Sequence, residues 1–387
     1  MTGTRRPRYF SSCAPPDEGP PKRTTALGQQ IGPSTLARPC ESPARDSPQT
    51  NITTMKNKIF YEADAAGYDL NGKLVAVVGY GAQGQAHALN LRDSGCEVTV
   101  AARPGGRGWK EAERDGFQPQ EVPAAVAGAA IVCLMMPDEV HGEVFRREIL
   151  PHASRGFTAL TCHGFSFHYN LVSRDQGYHR LLVAPKGQGH MVRGEYLQGG
   201  GVPCLIATDP GEEQEILPLG LAYARALGGT KAGVIQTTIA AETETDLFGE
   251  QAVLCGGLTS LVQAGFDTLV EAGYQPELAY FECLHELKII VDLLHAKGVA
   301  AMRDVISTTA EYGDLTRGPR IIDQHVRRNM RQILDEIQSG SFAREFLAAQ
   351  KEGGQLAQQM QQEVAGSLLE TTGKELRGMM PWLKRKS

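Results

Sequence analysis

From about residue 56 onward, short apolar runs alternate with stretches of helical periodicity, and after about residue 238 the strand signals nearly vanish. The run 73–78 reads as a short apolar strand, and residues from Gln85 to Leu91 then repeat with a helical period. A second strand is expected over 97–102. Further buried strands are expected over 130–136, closed by Pro137-Asp138-Glu139, over 157–162, and over 181–184. This alternation predicts an α/β fold with a Rossmann-like, doubly wound sheet. Beyond it, 241–272, 276–297 and 332–383 read as helices, so an all-helical C-terminal domain follows. The divisions expected are an extension over 1–54, a sheet domain over 55–238 and a helical domain over 239–384. No internal repeat or heptad stands out.

The first 54 residues differ in kind. They hold nine of the 21 prolines among Ser, Thr, Arg and Gly, without apolar periodicity, and disorder is expected. Arg5, Arg6 and Arg8 resemble a transit peptide, but Pro15-Pro16 and Pro20-Pro21 break the helix such a peptide needs. The preferred account is an upstream extension, with Met55 as the functional start.

The turn after 73–78 is Gly79-Tyr80-Gly81-Ala82-Gln83-Gly84, between a strand and a helix. That is the context in which three glycines serve a dinucleotide: a tight turn, room for the pyrophosphate, and close helix packing. At the end of the second strand an NAD site normally places an acid for the ribose hydroxyls. Here stand Ala102, Arg103 and, soon after, Arg107, which suit a 2'-phosphate and point to NADP. Ligands of such sheets bind beyond the carboxyl ends of the strands, where His163 and Lys186 fall. Packing or capping would explain the histidine equally simply, and solvation is the simpler account of the lysine.

The helical half carries two pairs of carboxylates at i and i+4: Asp246 with Glu250, and Glu282 with Glu286, all with apolar flanks. Each pair projects from one helix face, where like charges repel and a divalent cation is a natural counter-charge. Four such groups could hold two metal ions for Lewis-acid chemistry. Taken alone, the pairs are more simply read as an acidic stripe paired to Lys or Arg; the dinucleotide loop strengthens the metal reading.

Composition sets no obstacle. With 387 residues, 41% hydrophobic content and net charge −5, the chain can build two cores and has no bulk attraction for nucleic acid. No run approaches about 18 apolar residues, so no membrane span is expected. The eight scattered cysteines read as reduced thiols of a cytoplasmic protein.

Six blocks in order, Gly79 to Gly84, His163-Gly164-Phe165, Pro185-Lys186-Gly187, ETETDLFGEQAVLCGG from Glu242, FECLHELK from Phe281 and STTAEYGD from Ser307, closely resemble the ketol-acid reductoisomerases of the short, class I form. The resemblance runs from about residue 56 to Met379-Met380-Pro381-Trp382. It implies magnesium-dependent alkyl migration in a 2-acetolactate-type substrate, then hydride transfer from NADPH, in valine and isoleucine biosynthesis. It further implies two Mg2+ ions on Asp246, Glu250, Glu282 and Glu286, a catalytic His163, and a substrate contact at Ser307, which by pattern alone would pass as a helix cap. Cofactor contacts would come from Tyr80, Gly81, Ala82 and Gln83, from the loop with Arg103, Gly106, Arg107 and Gly108, from Asp138, Glu139, Val140 and His141, and from Gly189. Lys186 is expected near the site without a proton-transfer role.

The same resemblance implies a knotted helical domain and a homodimer or higher homo-oligomer, in which Glu282, Glu286 and Ser307 complete the partner's site. The chain departs from the resemblance at Gly106 and Gly108, where relatives commonly carry serines that contact the 2'-phosphate. Two lost hydroxyl hydrogen bonds, about 0.5–1.5 kcal/mol each, would weaken NADPH preference while Arg103 and Arg107 keep it. The competing readings are a two-domain NADP-dependent hydroxyacid dehydrogenase, which needs no four-carboxylate set, and a non-enzymatic scaffold, which would have lost the catalytic residues.

Overall fold

The structure is a computed structural model that describes residues 58–175 and 177–383. The expectations for the extension fall outside these residues.

Eight strands, β1 (Ile59–Phe60), β2 (Leu74–Val78), β3 (Glu97–Ala101), β4 (Ile131–Leu134), β5 (Phe157–Thr161), β6 (Tyr178–Pro185), β7 (Cys204–Thr208) and β8 (Val234–Gln236), form one sheet in the order β1-β8-β7-β6-β5-β4-β2-β3. Strands β3, β2, β4, β5 and β6 run parallel, β7 is antiparallel to β6, and the edge strand β1 is antiparallel to β8. The chain steps outward from β2 to β3 and then crosses back to β4 on the other side of β2. That reversal opens a crevice above the carboxyl ends of β2 and β4, where doubly wound sheets bind their ligands.

Alternate residues of each strand enter two cores, one per face. Val75, Val77, Ile131, Cys133 and Leu181 pack on one side, and Ala76, Val78, Val132, Leu134 and Leu182 on the other. Both layers are buried, hence the apolar runs. Strand β6 starts earlier than its apolar run because Arg180 is buried within it. The guanidinium grips Asp209 through Nε (2.8 Å) and Nη2 (2.5 Å), while Nη1 donates to the carbonyls of Phe167 and Val172, both at 3.1 Å. A fully engaged charge pair can occupy a core position that an apolar pattern would not predict.

The helical region begins with a continuous helical stretch, Ile239–Glu271, whose apolar part reaches a mean hydropathy of 1.4 over 18 residues. By length and composition this helix could cross a membrane, as the core helices of many globular proteins could. Interspersed Thr, Gln and Gly residues had hidden it from a search for unbroken apolar runs. Within the stretch, α-helix Ile239–Gly249 passes through a π turn, Glu250–Leu254, into α-helix Gly256–Glu271. A second π turn, Phe281–His285, separates the short helix Pro276–Tyr280 from Leu287–Arg303. Gln324–Gln338 and Ser341–Lys351 pack on the first helix through a cluster containing Phe165, Leu247, Ile337 and Ala343. A second cluster joins Phe266, Ala279, Tyr280, Leu376 and Met380.

Candidate active site

Two of the three glycines of the turn after β2 answer a steric demand. Gly79 turns the chain at φ +102°, and a Cβ there would lie 2.6 Å from the Met136 nitrogen at the end of β4. At Gly84 a Cβ would lie 2.1 Å from the Gly79 carbonyl oxygen, so the helix can close on the loop only without one. Gly81 has open space around it and starts the helix Ala82–Asp93 with no side-chain cap. The leading N–H groups of that helix are therefore available to an anion, as a pyrophosphate requires. Tyr80 turns inward instead: its hydroxyl donates to Asp115 Oδ2 at 2.8 Å, beside Gln85 Nε2 at 2.7 Å. Burial, with Asp115 beside it, pushes its phenol well above the usual range, and its backbone is what remains for a ligand.

Beyond β3, Arg103-Pro104-Gly105-Gly106 forms a turn closed by the Gly106 N–H on the Arg103 carbonyl at 3.0 Å. The left-handed residue is Gly105, at φ +69°; Gly106, at φ −69° and ψ 173°, is extended and caps the helix Arg107–Arg114 without a side chain. Arg107 Nε reaches Glu111 Oε1 at 2.8 Å, and its side chain is otherwise exposed. Gly108 packs closely: a Cβ there would meet the Tyr80 carbonyl oxygen at 3.1 Å. After β4, His141 engages both ring nitrogens inside the protein, with Ser166 Oγ and the Met136 carbonyl, each at 2.8 Å. Asp138 beside it is half-buried, and that burial raises its carboxyl against the pull of His141 and His163.

Beyond β5 and β6 the sheet meets the first helix of the C-terminal region. Thr238 caps that helix by accepting from the Ala241 N–H at 3.0 Å, and Gly164 admits it closely, since a Cβ there would lie 2.1 Å from Thr243 Oγ1. Glu242, fully buried, accepts from the Gly164 N–H (2.9 Å) and from Lys186 Nζ (3.0 Å). Lys186 Nζ also donates to Asp246 Oδ1 at 2.8 Å. His163 Nδ1 stands 3.2 Å from Asp246 Oδ2 and 3.7 Å from Glu242 Oε2. The ring N–H is not aligned for a hydrogen bond with either, so the contact is one of charge.

The electrostatics follow from this geometry. Burial disfavours an imidazolium at His163, but Asp246 and Glu242 outweigh it and raise its pKa to about 10. Burial likewise opposes the Asp246 carboxylate, yet His163 and Lys186 hold its pKa at about 2, and the same two cations lower Glu242. Glu250, one turn further, is raised by burial and by Asp246, so the neighbouring cations do not compensate it. Carboxylate oxygens on successive turns, one still short of a counter-charge, fit a hard divalent cation such as Mg2+.

Among the described residues, the group whose ligand atoms lie within 4.8 Å of one another is His163, Glu242 and Asp246. Glu250, Glu282 and Glu286 are outside it: Glu250 is exposed one turn beyond Asp246 on the same helical stretch, and Glu282 and Glu286 are exposed at the second π turn. Ser307 is exposed and caps the helix Thr308–Ile321 by accepting from the Ala310 N–H at 3.2 Å. Glu242 went unremarked in the sequence, although it stands four residues before Asp246 and makes a series 242, 246, 250 on one face.

Two family models match the chain: "Acetohydroxy acid isomeroreductase, NADPH-binding domain" over residues 69–233, and "Ketol-acid reductoisomerase, C-terminal domain" over 239–382. Among solved structures, an NADH-preferring ketol-acid reductoisomerase from an uncultured archean is 38% identical, with 84% of this chain and 99% of that chain covered and a TM-score of 0.79. A semialdehyde dehydrogenase NAD-binding protein from Cupriavidus necator is 18% identical over 69% of this chain and 99% of that one, at TM-score 0.52. A putative oxidoreductase from Jannaschia sp. is 15% identical over 69% and 97%, at 0.51. The last two share the fold.

Proposed function

We propose, for a chain that belongs to the ketol-acid reductoisomerase family, that it rearranges and reduces 2-acetolactate-type substrates to 2,3-dihydroxy-3-methylbutanoate-type products using Mg2+ and NADPH, in valine and isoleucine biosynthesis. The observation that carries this reading is the meeting of His163, Lys186, Glu242 and Asp246 beyond β5 and β6, on the sheet edge that also carries the glycine loop. Bound magnesium would supply Lewis-acid polarisation of a ketone and its neighbouring hydroxyl, and bound NADPH the hydride. Asp246 and Glu250 would hold metal from this chain. His163 keeps a proton on Nδ1 facing Asp246, and Lys186 balances the buried Glu242, so the acids stay ionised at neutral pH. The test is turnover: 2-acetolactate should drive NADPH oxidation with magnesium and not with EDTA. An equal rate in EDTA would favour a plain hydroxyacid dehydrogenase.

Glu282, Glu286 and Ser307 are read as completing the site of a second copy in a homodimer with a knotted helical domain. Their place on a separate helix, away from Asp246 and Glu250, supports this, as do the exposed apolar side chains of the helical region, among them Leu254, Leu261, Ile289, Val299, Leu315 and Leu356. Apolar surface on this scale is better covered by another subunit than left in water. The six cysteines among the described residues are all free, which suits a cytoplasmic setting.

NADPH preference rests on Arg103 and Arg107, and a 38% identical relative that prefers NADH makes it a question to measure. Neutral replacements at both arginines should raise KM for NADPH about ten-fold or more and leave KM for NADH nearly unmoved, since NADH has no 2'-phosphate to lose. Equal effects on both cofactors would show that the loop does not read the phosphate. Serine fits at Gly106, whose extended backbone suits a helix cap, although the Arg103 carbonyl must give slightly to its Cβ. At Gly108 it must push back the Tyr80 carbonyl, so Gly106→Ser should favour NADPH and Gly108→Ser should weaken both cofactors.

A further inference from the structure

The helix Arg107–Arg114 begins with one of the two arginines assigned to the 2'-phosphate, yet has little packing of its own: Ala112 is its one buried residue. Its fastening is at the far end. Asp115, which ends the helix, accepts two hydrogen bonds on a single carboxylate oxygen, Oδ2, from the Tyr80 hydroxyl at 2.8 Å and from Gln85 Nε2 at 2.7 Å. The Asp115 carbonyl accepts from Arg92 Nη1 at 2.6 Å. Two residues on, the Phe117 ring meets Tyr80 edge to face, with centroids 5.9 Å apart, and the Arg92 guanidinium lies 4.7 Å from its centroid. Tyr80, Gln85 and Arg92 all belong to the glycine loop or to the helix Ala82–Asp93 that follows it.

The two sides of this latch are not equally anchored. The helix Ala82–Asp93 is tied to the sheet domain by Gln83 Nε2 on the Gly187 carbonyl (2.9 Å), His87 Nδ1 with the Tyr223 hydroxyl (2.8 Å) and Arg193 Nη1 on Asn90 Oδ1 (2.8 Å). The helix Arg107–Arg114 has the close approach of Gly108 to the Tyr80 carbonyl at its start and the Asp115 latch at its end. Releasing the latch therefore frees this second helix, and with it Arg107 and the turn that carries Arg103. Resting on the cofactor reading above, we infer that Asp115 is a positioning residue for the 2'-phosphate: it sets where Arg103 and Arg107 stand relative to the glycine loop, and through them the discrimination between NADPH and NADH. Arg107 stands eight residues before Asp115, about 12 Å along an α-helix, so Asp115 acts through the helix and not by contact with the phosphate. The pyrophosphate, common to both cofactors, is assigned to the glycine loop, which keeps its other anchors. Because both donors converge on Oδ2, an amide oxygen in its place can accept them as a carboxylate does, and the effect follows the acceptor rather than the charge.

The test is a set of fluorescence titrations of the full chain with NADPH and with NADH, in the absence of substrate. Asp115→Ala should weaken NADPH roughly five-fold or more and NADH by less than about two-fold, since contacts to a charged group are lost for the first alone. Asp115→Asn should restore the wild-type ratio of the two dissociation constants. Tyr80→Phe removes one of the two donors and keeps the backbone, so it should shift the ratio the same way by less; it decides the matter should Asp115→Ala not fold, and an unchanged ratio in it overturns the inference. So does equal weakening of both cofactors in Asp115→Ala, the mark of a merely structural residue, or an Asp115→Asn protein as impaired as Asp115→Ala. A wild type that binds both cofactors alike would instead overturn the phosphate reading of Arg103 and Arg107, a result distinct from a wild-type preference that survives in Asp115→Ala.

Discussion

Asp246→Asn is expected to remove substrate turnover almost completely while leaving NADPH binding in the absence of magnesium nearly unchanged. Asp246 is the point where the cluster's charges meet: Oδ1 accepts from Lys186 and Oδ2 faces His163, and these two cations hold its pKa at about 2. An amide there cannot bind a hard cation as a carboxylate does, and the Lewis-acid contribution at stake is several kcal/mol. That corresponds to a loss on the order of 10³-fold in kcat. The fold should tolerate the change, because Lys186 keeps Glu242 as a partner and Glu242 keeps the Gly164 N–H. NADPH binding is read at the glycine loop, beyond the other end of the β6 connection, so its dissociation constant reports whether the damage is local. Normal turnover in a folded Asp246→Asn protein would remove this residue from the metal set.

The parts of the site that sequence made legible are those written in local spacing. The glycine loop is one: six adjacent residues between a strand and a helix carry the steric demands that the structure displays at Gly79 and Gly84. Asp246 and Glu250 are another, because i, i+4 spacing places them on one helix face. What spacing does not reveal is which acids are buried. Glu242 has the same spacing, and only the approach of Gly164 and Lys186, 78 and 56 residues away in the chain, makes it part of the cluster. Nor do the π turns follow from composition. Both carboxylate pairs border or occupy one, at Glu250–Leu254 and Phe281–His285, and such turns recur at functional sites because they re-aim side chains within a continuing helix.

Side-chain direction was equally hidden. Tyr80 and His141 lie in stretches that resemble cofactor-contacting segments, yet their polar atoms bond to Asp115, Ser166 and the Met136 carbonyl inside the protein. In the sheet, β6 extends beyond its apolar run because the Arg180–Asp209 pair substitutes for apolar packing. The antiparallel turn into β7 had no signal in the residues that form it. Strands such as Val234–Gln236 are too short for period-two alternation to be distinguished from a loop.

In the proposed enzyme, one active site draws Asp246 and Glu250 from one subunit and Glu282 and Glu286 from another. Mixing inactive Asp246→Asn protein with inactive Glu286→Gln protein under conditions that exchange subunits tests it directly. In a two-fold dimer, random exchange makes about half of the dimers mixed, and each mixed dimer has one site with both residues intact and one with neither. Activity should therefore rise from near zero to about a quarter of the wild-type value, tracking the mixed fraction seen by native mass spectrometry. Mixed dimers that form in full and remain inactive would contradict the shared site.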